Sequence, residues 1–393
     1  MTSNESIGHP DGRDYQIASD GGGQWTRGPN SATTSTAPPE VRSGAGTSGC
    51  IVERRGDTSA TSAGRPFAAT TGTAFYRLRT AADLVTVVLT LLSYGCPTQA
   101  IVAAFGLDER TVAAWLARGG AQAQRVHAHL VQQGQVDLQH VQADELWGKL
   151  VGRRVWMALA LAVPSRLWLG GAISEHRDLT LIMRLVTLVR ACARDLGILV
   201  CVDGLASYVT AFTRVFRDPV RTGQRGRPRL VLADGFLLGQ VVKRSAKRRI
   251  VSVTTRAVRG TLDAILAVLT ATGGGSVIHT AYIERLNATF RSRLAPLVRR
   301  GRALARTEAL LTAGMWLIGG AYNFCWEHDS LRRAAPPGAT RKWRERTPAM
   351  AAGLADHRWT MRELLQYQIP VPAWVPPKRR GRPPKSTPRA TAA

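Results

Sequence analysis

The order of strand-like and helix-like segments constrains the fold of this chain more than any other feature of the sequence. Three strand candidates, at 141–151, 154–162 and 167–173, precede a helix candidate at 179–194. A continuous apolar run then reads as a buried strand that ends at Asp203, and another helix candidate follows it. Strands and helices in this arrangement predict a mixed α/β fold built around a sheet.

A two-faced helix is predicted over residues 282–294. Its apolar residues recur with helical spacing and would share one side: Ile283, Leu286, Phe290 and Leu294. Glu284, Asn287 and Arg291 are spaced to share a different side, and Pro296 should end or kink the helix. Three strands, a helix, a fourth strand ending in an acid and a later helix bearing Glu284 form the element order of an RNase H-like mixed sheet.

Three acids occupy defined places in this order. Asp144 lies in the first strand, Asp203 ends the fourth and Glu284 lies on the late helix. Mg²⁺ prefers carboxylate oxygens, and two Mg²⁺ ions can activate an oxygen nucleophile and stabilise the leaving oxygen of a phosphodiester. We therefore predict a catalytic site with two Mg²⁺ ions, for which Mn²⁺ can substitute. Glu145 could be the ligand instead of Asp144, and Asp234 is a weaker competitor for Asp203.

The charge of the chain indicates a polyanionic partner. Lys and Arg number 53 against 27 Asp and Glu, giving a formal net charge of +26, and so basic a protein usually binds nucleic acid. The predicted DNA contacts near the acids are basic or amide side chains: Lys243, Arg244, Arg248, Asn287, Arg291, Arg299 and Arg300. The alternative is a solvated cationic surface.

Residues 76–135 are predicted to form a small all-α helix-turn-helix domain, with short helices on either side of Gly106. A separate polar helix is expected at 122–133. Recognition helices contact bases through their N-terminal residues, so Arg110 and Thr111 are the predicted contacts in the major groove. An ordinary helical hairpin is the alternative.

The two ends of the chain differ in composition from the rest. Residues 1–70 are rich in Gly, Ser, Thr, Ala and Pro and are predicted to be disordered. Residues 331–393 form a basic, Pro-rich extension, in which Arg380 and Arg382 belong to an AT-hook-like Arg-Gly-Arg-Pro motif suited to a narrow minor groove. A generic basic tail is the alternative.

Cysteine spacing and hydropathy exclude several other classes. None of the five cysteines forms a Cys-x-x-Cys pair, so neither a zinc ribbon nor a disulfide framework is indicated. The longest apolar stretch, at 155–172, is interrupted by Pro164 and Arg166 and reads as two strands rather than a membrane span. We expect a cytoplasmic protein with no membrane partner.

Three segments together resemble the DDE transposases of the insertion-sequence-one (IS-one) type. They are Asp-Glu-Leu-Trp-Gly at 144–148, Val-Asp-Gly-Leu-Ala-Ser-Tyr at 202–208 and Ile-Glu-Arg-Leu-Asn at 283–287, with Arg291 beyond. The resemblance covers roughly residues 65–330. Members of this family also carry a zinc ribbon before the helix-turn-helix, for which this sequence has no paired cysteines.

The resemblance implies a specific set of roles. The catalytic domain would be RNase H-like and span 138–330, with Asp144, Asp203 and Glu284 as metal ligands. The enzyme would cut and join double-stranded DNA, both element ends and target, as a homo-oligomer associated with a bacterial or archaeal nucleoid. Two alternatives stay open: a catalytically silent DNA-binding protein derived from a transposase, and a metal-dependent nuclease without joining activity.

Overall fold

A mixed six-stranded sheet forms the centre of the fold. The computed structural model describes residues 69–221, 223, 226–246, 249–298 and 305–370, which fall within one compact unit. The helices are α1 (Ala82–Ser93), α2 (Thr98–Phe105), α3 (Glu109–Leu130), α4 (Leu179–Cys192), α5 (Ala206–Val215), α6 (Leu262–Ala271), α7 (Ala281–Arg293), α8 (Glu308–Phe324), α9 (Pro348–Ala351) and α10 (Met361–Gln366), with 3-10 turns at Ala295–Leu297 and Asp329–Leu331. The strands are β1 (His140–Leu150), β2 (Arg153–Ala162), β3 (Leu167–Ser174), β4 (Leu199–Asp203), β5 (Arg217–Val220), β6 (Arg229–Leu232), β7 (Leu237–Ala246), β8 (Arg249–Arg259), β9 (Arg333–Ala334) and β10 (Trp343–Arg344).

The strand order in the large sheet is β3-β2-β1-β4-β7-β8. The β1–β4 and β4–β7 pairs are parallel, whereas β1–β2, β2–β3 and β7–β8 are antiparallel. The predicted mixed α/β class is therefore confirmed, and the sheet is compatible with an RNase H-like fold. Among the described residues, no helix combines the length and the apolar character that a membrane crossing needs.

Helices cover both faces of this sheet. Side chains along a strand point alternately to its two sides, so β1 presents apolar residues to the helices on each face. Ala143 of β1 belongs to the same buried cluster as Leu185 of α4 and Phe212 of α5. Leu146 of β1 instead belongs to a second cluster with Phe290 of α7 and residues of α8. Each fully buried large side chain of this kind stabilises the fold by about 1.5–3 kcal/mol. The alternation places residue 144 on the α7 side of the sheet and residue 145 on the α4–α5 side.

Helix α3 is longer than the sequence predicted. The expected break before a separate helix at 122–133 is wrong, because one helix runs from Glu109 to Leu130 through two consecutive glycines. The structure explains why Gly120 is there: a Cβ atom on it would lie 2.4 Å from the carbonyl oxygen of Ala313 in α8. Close packing of two helices outweighs the roughly 1 kcal/mol that glycine costs in a helix interior.

The region before the sheet shares a core with it. Val85 of α1, Trp115 of α3 and Leu364 of α10 belong to the buried cluster that also contains residues of the sheet. Helix α2 ends at Phe105, and the next residue, Gly106, caps it with a left-handed φ of 62°. The helix-turn-helix function of α2 and α3 stays a prediction. Residues 1–68 and 371–393, with the predicted disorder and the AT-hook-like motif, lie outside the described residues.

Candidate metal centre

Asp144, in the middle of β1, and Asp203, at the end of β4, lie side by side on neighbouring central strands of the sheet. The parallel pairing of β1 with β4 ends with Ala143 opposite Val202, so the next residue of each strand is an acid. Both acids are half-buried and face the side covered by α7. Together with Glu145 they form a compact group whose ligand oxygens all lie within 4.8 Å of one another. Such a group can hold a metal ion.

Glu145 reaches this group from the other side of the sheet, beyond the end of β4. It is buried, and its Oε2 accepts a hydrogen bond of 2.7 Å from the hydroxyl of Tyr208 on α5. Its Oε1 accepts from the Arg177 guanidinium, which also lies 3.3 Å from Oδ2 of Asp203. The position of the Glu145 carboxylate is therefore fixed by a tyrosine and an arginine.

The three carboxylates interact strongly with one another. Burial, together with the negative charges of Glu145 and Asp203, raises the pKa of Asp144 to about 7, and Glu284 adds to the shift. Burial and the charge of Asp203 also raise the pKa of Glu145. An anion shifted in this way is one that a nearby cation would stabilise. The electrostatics of the group therefore favour a bound divalent cation.

Glu284 lies outside the compact group. Its Oε1 accepts hydrogen bonds of 2.7 Å from Nζ of Lys243 and 2.9 Å from Oγ1 of Thr280, and its side chain is 49% exposed. Although burial alone would raise the pKa of Glu284, these two hydrogen bonds hold it below its usual value. Of the three predicted ligands, the structure thus brings Asp144 and Asp203 together and pairs Glu284 with Lys243.

Asn287 connects α7 to the acids. Its Nδ2 donates a hydrogen bond of 2.8 Å to Oδ2 of Asp144. Its Oδ1 is buried and has no hydrogen-bond partner among the residues that the structure describes. A buried polar atom without a partner is uncommon in proteins and is explained by an additional ligand or water. A neutral oxygen beside three carboxylates fits the all-oxygen surroundings that Mg²⁺ takes.

Two buried glutamines, which the sequence analysis missed, hold the acid-bearing elements. Oε1 of Gln142 on β1 accepts from the backbone N–H groups of Tyr282 and Ile283, at 3.0 and 3.1 Å, and so caps the start of α7. Gln240 on β7 donates a hydrogen bond of 2.9 Å to the backbone carbonyl of Asp203. Each is a polar residue between two small or apolar neighbours in a strand, which is the signal that could have identified them.

The other predicted DNA contacts lie at several places. Arg110 is exposed and Thr111 half-buried at the start of α3, Arg244 is exposed on β7, and Arg291 is half-buried on α7. The rest lie outside the described residues: Arg248, Arg299, Arg300, Arg380 and Arg382.

Comparison with known proteins gives no family for the chain. No model of a known protein family matches it, and no curated protein matches its sequence.

Proposed function

We propose that this chain is a metal-dependent DNA strand-cleaving and strand-joining enzyme, a DDE-type transposase with an RNase H-like catalytic domain. One observation carries the proposal: Asp144 within β1 lies beside Asp203 at the end of the neighbouring parallel strand β4, and a Glu145 carboxylate oxygen lies within 4.8 Å of ligand oxygens of both. A concentrated negative site in a chain of net charge +26 suits a cation that binds phosphate. The resemblance to transposases of the IS-one type agrees with this reading.

The donor set fits Mg²⁺. Asp144, Asp203 and Glu145 would hold the cation, with Oδ1 of Asn287 as a further oxygen facing no other partner among the described residues. Two Mg²⁺ ions, or Mn²⁺ in their place, would when bound supply an activated oxygen nucleophile and a stabilised leaving oxygen. Glu284, which contributes to the raised pKa of Asp144, is the nearby carboxylate to complete the set.

The surrounding residues of the chain orient this site. Asn287 fixes Asp144, Tyr208 fixes Glu145, and Gln142 holds the start of the helix that bears Glu284. Lys243 is available to a DNA phosphate because its ion pair with Glu284 is half exposed, and such surface pairs contribute only about 0–1 kcal/mol. A phosphate can therefore replace Glu284 as the partner of Lys243 at little cost.

DNA would be bound as duplex, at element ends and at the target. Helices α2 and α3 would dock with Arg110 and Thr111 at the major groove, since both lie at the start of α3. Binding of two ends requires more than one active site, so a homo-oligomer on nucleoid DNA is part of the proposal.

A second candidate is a catalytically silent DNA-binding protein. It is favoured by the contacts of Arg177 with Glu145 and Asp203 and of Lys243 with Glu284. These basic side chains neutralise part of the acidic group without any metal ion.

Plasmid cleavage separates the two candidates. We expect the protein to nick supercoiled DNA and to join a labelled oligonucleotide to it in Mg²⁺ or Mn²⁺, but not in EDTA. Asp203→Asn should abolish both activities and leave DNA binding within about twofold. Asp234→Asn is the matched control, because Asp234 also precedes a glycine but is exposed and lies outside the acidic group. Binding without cleavage by the unaltered protein would support the silent form instead.

A further inference from the structure

A cleft lies beside α7, on the other side of this helix from the acidic group. It has a volume of about 330 Å³, within the usual range for small-molecule sites. Its walls come from the end of α1, from α7 and from the end of α8. The lining residues that matter for its chemistry are Tyr94, Arg285, Thr289, Arg293, Tyr322 and Trp326.

Aromatic rings form one wall of this cleft. The rings of Tyr94 and Trp326 have centroids 5.2 Å apart, and the Tyr322 ring meets Trp326 edge-on at 6.5 Å. Tyr94 is 51% exposed although it is a large side chain. An exposed aromatic face of this kind can stack on a nucleobase, which contributes about 1–3 kcal/mol per base.

Two arginines also line the cleft, and one of them lies against the aromatic rings. The Arg293 guanidinium lies 4.7 Å from the centroid of Tyr94 and 5.1 Å from that of Trp326. Arg285 is exposed, and neither arginine makes an ion pair within the part of the chain that the structure describes. Two acids also line the cleft, Glu327 and Asp329. Glu327 forms an ion pair of 2.7 Å with Arg358.

This combination selects among ligand classes. A cationic ligand is disfavoured because Arg293 already lies against both rings. A neutral apolar ligand would leave Arg285 without an anion. A nucleotide can interact with both kinds of lining residue, because its base can stack on an aromatic ring and its phosphate can pair with an arginine.

We propose that this cleft binds one unstacked nucleotide of a single-stranded DNA segment, with the base against Tyr94 and the phosphate beside Arg285. The inference rests on the proposed function, since it places that segment next to the strand held at the acidic group. Glu284 and Arg285 are consecutive on α7, so one helix carries a side chain for each site. Unstacking a base costs a few kcal/mol in duplex DNA and less in DNA that is already single-stranded.

The test compares two DNA probes and two aromatic substitutions in the full-length protein. The probes are fluorescein-labelled oligothymidylate and a blunt duplex of equal length, titrated at two salt concentrations by anisotropy. Tyr94→Ala removes the stacking face in the cleft. Trp343→Ala is the matched control, because Trp343 is 40% exposed and carries Arg332 over its ring at 4.6 Å, but lines a neighbouring cleft and not the one that Tyr94 lines.

We expect Tyr94→Ala to weaken binding of oligothymidylate about tenfold, within the range for loss of one stacked base. Binding of the duplex should change less than twofold, and Trp343→Ala should change neither. Arg285→Gln, which alters an exposed side chain, should also weaken oligothymidylate binding more than duplex binding and guards against misfolding of the first variant. Equal losses on both probes, or no loss in either variant, would overturn the inference.

The outcome also separates this inference from the proposed function. If the unaltered protein cleaves plasmid DNA but the Tyr94 and Arg285 variants bind oligothymidylate normally, only the nucleotide cleft is refuted. If the unaltered protein binds neither probe, the proposed function fails and the cleft inference fails with it.

Discussion

Replacing Asp144 with asparagine should stabilise the protein when no divalent cation is present. The raised pKa of Asp144, about 7 against 3.8 for the free side chain, means that its ionised form is disfavoured in the folded state. Because the folded pKa is the higher one, the cost is absent below about pH 4, grows as the pH rises and is complete above about pH 7. Three pKa units correspond to an upper limit of about 4 kcal/mol.

The local geometry accepts the substitution. An asparagine oxygen can still accept from the backbone N–H of Glu145, as Oδ1 of Asp144 does at 2.9 Å. Its new NH₂ group can donate to Oδ1 of Asn287 once the Asn287 amide rotates, and this rotation moves the NH₂ group of Asn287 into the position that has no partner. We therefore expect a net gain of about 2–4 kcal/mol, somewhat below the limit set by the pKa.

Urea unfolding in EDTA at pH 8 and pH 5 measures this effect. At pH 8 Asp144→Asn should be more stable than the unaltered protein by about 2–4 kcal/mol, and at pH 5 the difference should shrink to less than half. Added Mn²⁺ should stabilise the unaltered protein and not the variant, since a ligand stabilises only the state that binds it. A variant that is less stable at pH 8 without metal would refute the electrostatic argument for this site.

Three further tests address other parts of the structure by the same unfolding assay. Gln142→Leu should destabilise by about 1–3 kcal/mol, because it leaves two backbone N–H groups of α7 unpaired in the interior, and no loss would contradict its capping role. Gly120→Ala should destabilise the protein by about 1–3 kcal/mol, because the added Cβ meets the backbone of α8. Gly119→Ala should destabilise it less, because that Cβ meets only the flexible side chain of Leu89. Equal losses of stability in the two variants, or a larger loss in Gly119→Ala, would contradict the close packing of Gly120 on α8. Burial lowers the pKa of His127 to about 4, so protonation of this side chain destabilises the folded state. The free energy of unfolding of the unaltered protein, measured relative to that of His127→Phe, should therefore fall by about 3 kcal/mol as the pH drops from 6.5 to 4. A difference that does not depend on pH would contradict the lowered pKa.

The sequence predicted the elements of the sheet well because their signals are local. Period-two and continuous apolar patterns located β1 to β4 to within two residues, and the buried run before Asp203 is indeed a parallel strand. Pro296 was expected to end the helix of Glu284, and α7 stops at Arg293. Helix α6 and the β5–β6 hairpin were not predicted.

What the sequence could not give is the tertiary context of single residues. A separate helix was predicted at 122–133, and the contact of Gly120 with α8 explains why a glycine lies within one continuous helix instead. Spacing placed Asp144 and Asp203 at strand positions that could meet, and offered Glu145 only as a replacement for Asp144. The structure groups all three, because the Glu145 carboxylate reaches the two aspartates around the end of β4. The pairing of Glu284 with Lys243 joins residues 41 positions apart and has no local signature.

Calorimetric titration with Mn²⁺ in the absence of DNA tests the metal centre most directly. We predict saturable binding to the unaltered protein, loss of that binding in Asp144→Asn and in Asp203→Asn, and retention in Asp234→Asn, whose carboxylate lies outside the acidic group. Equal binding by all four proteins, or no binding by the unaltered one, would contradict the assignment of Asp144 and Asp203 as metal ligands.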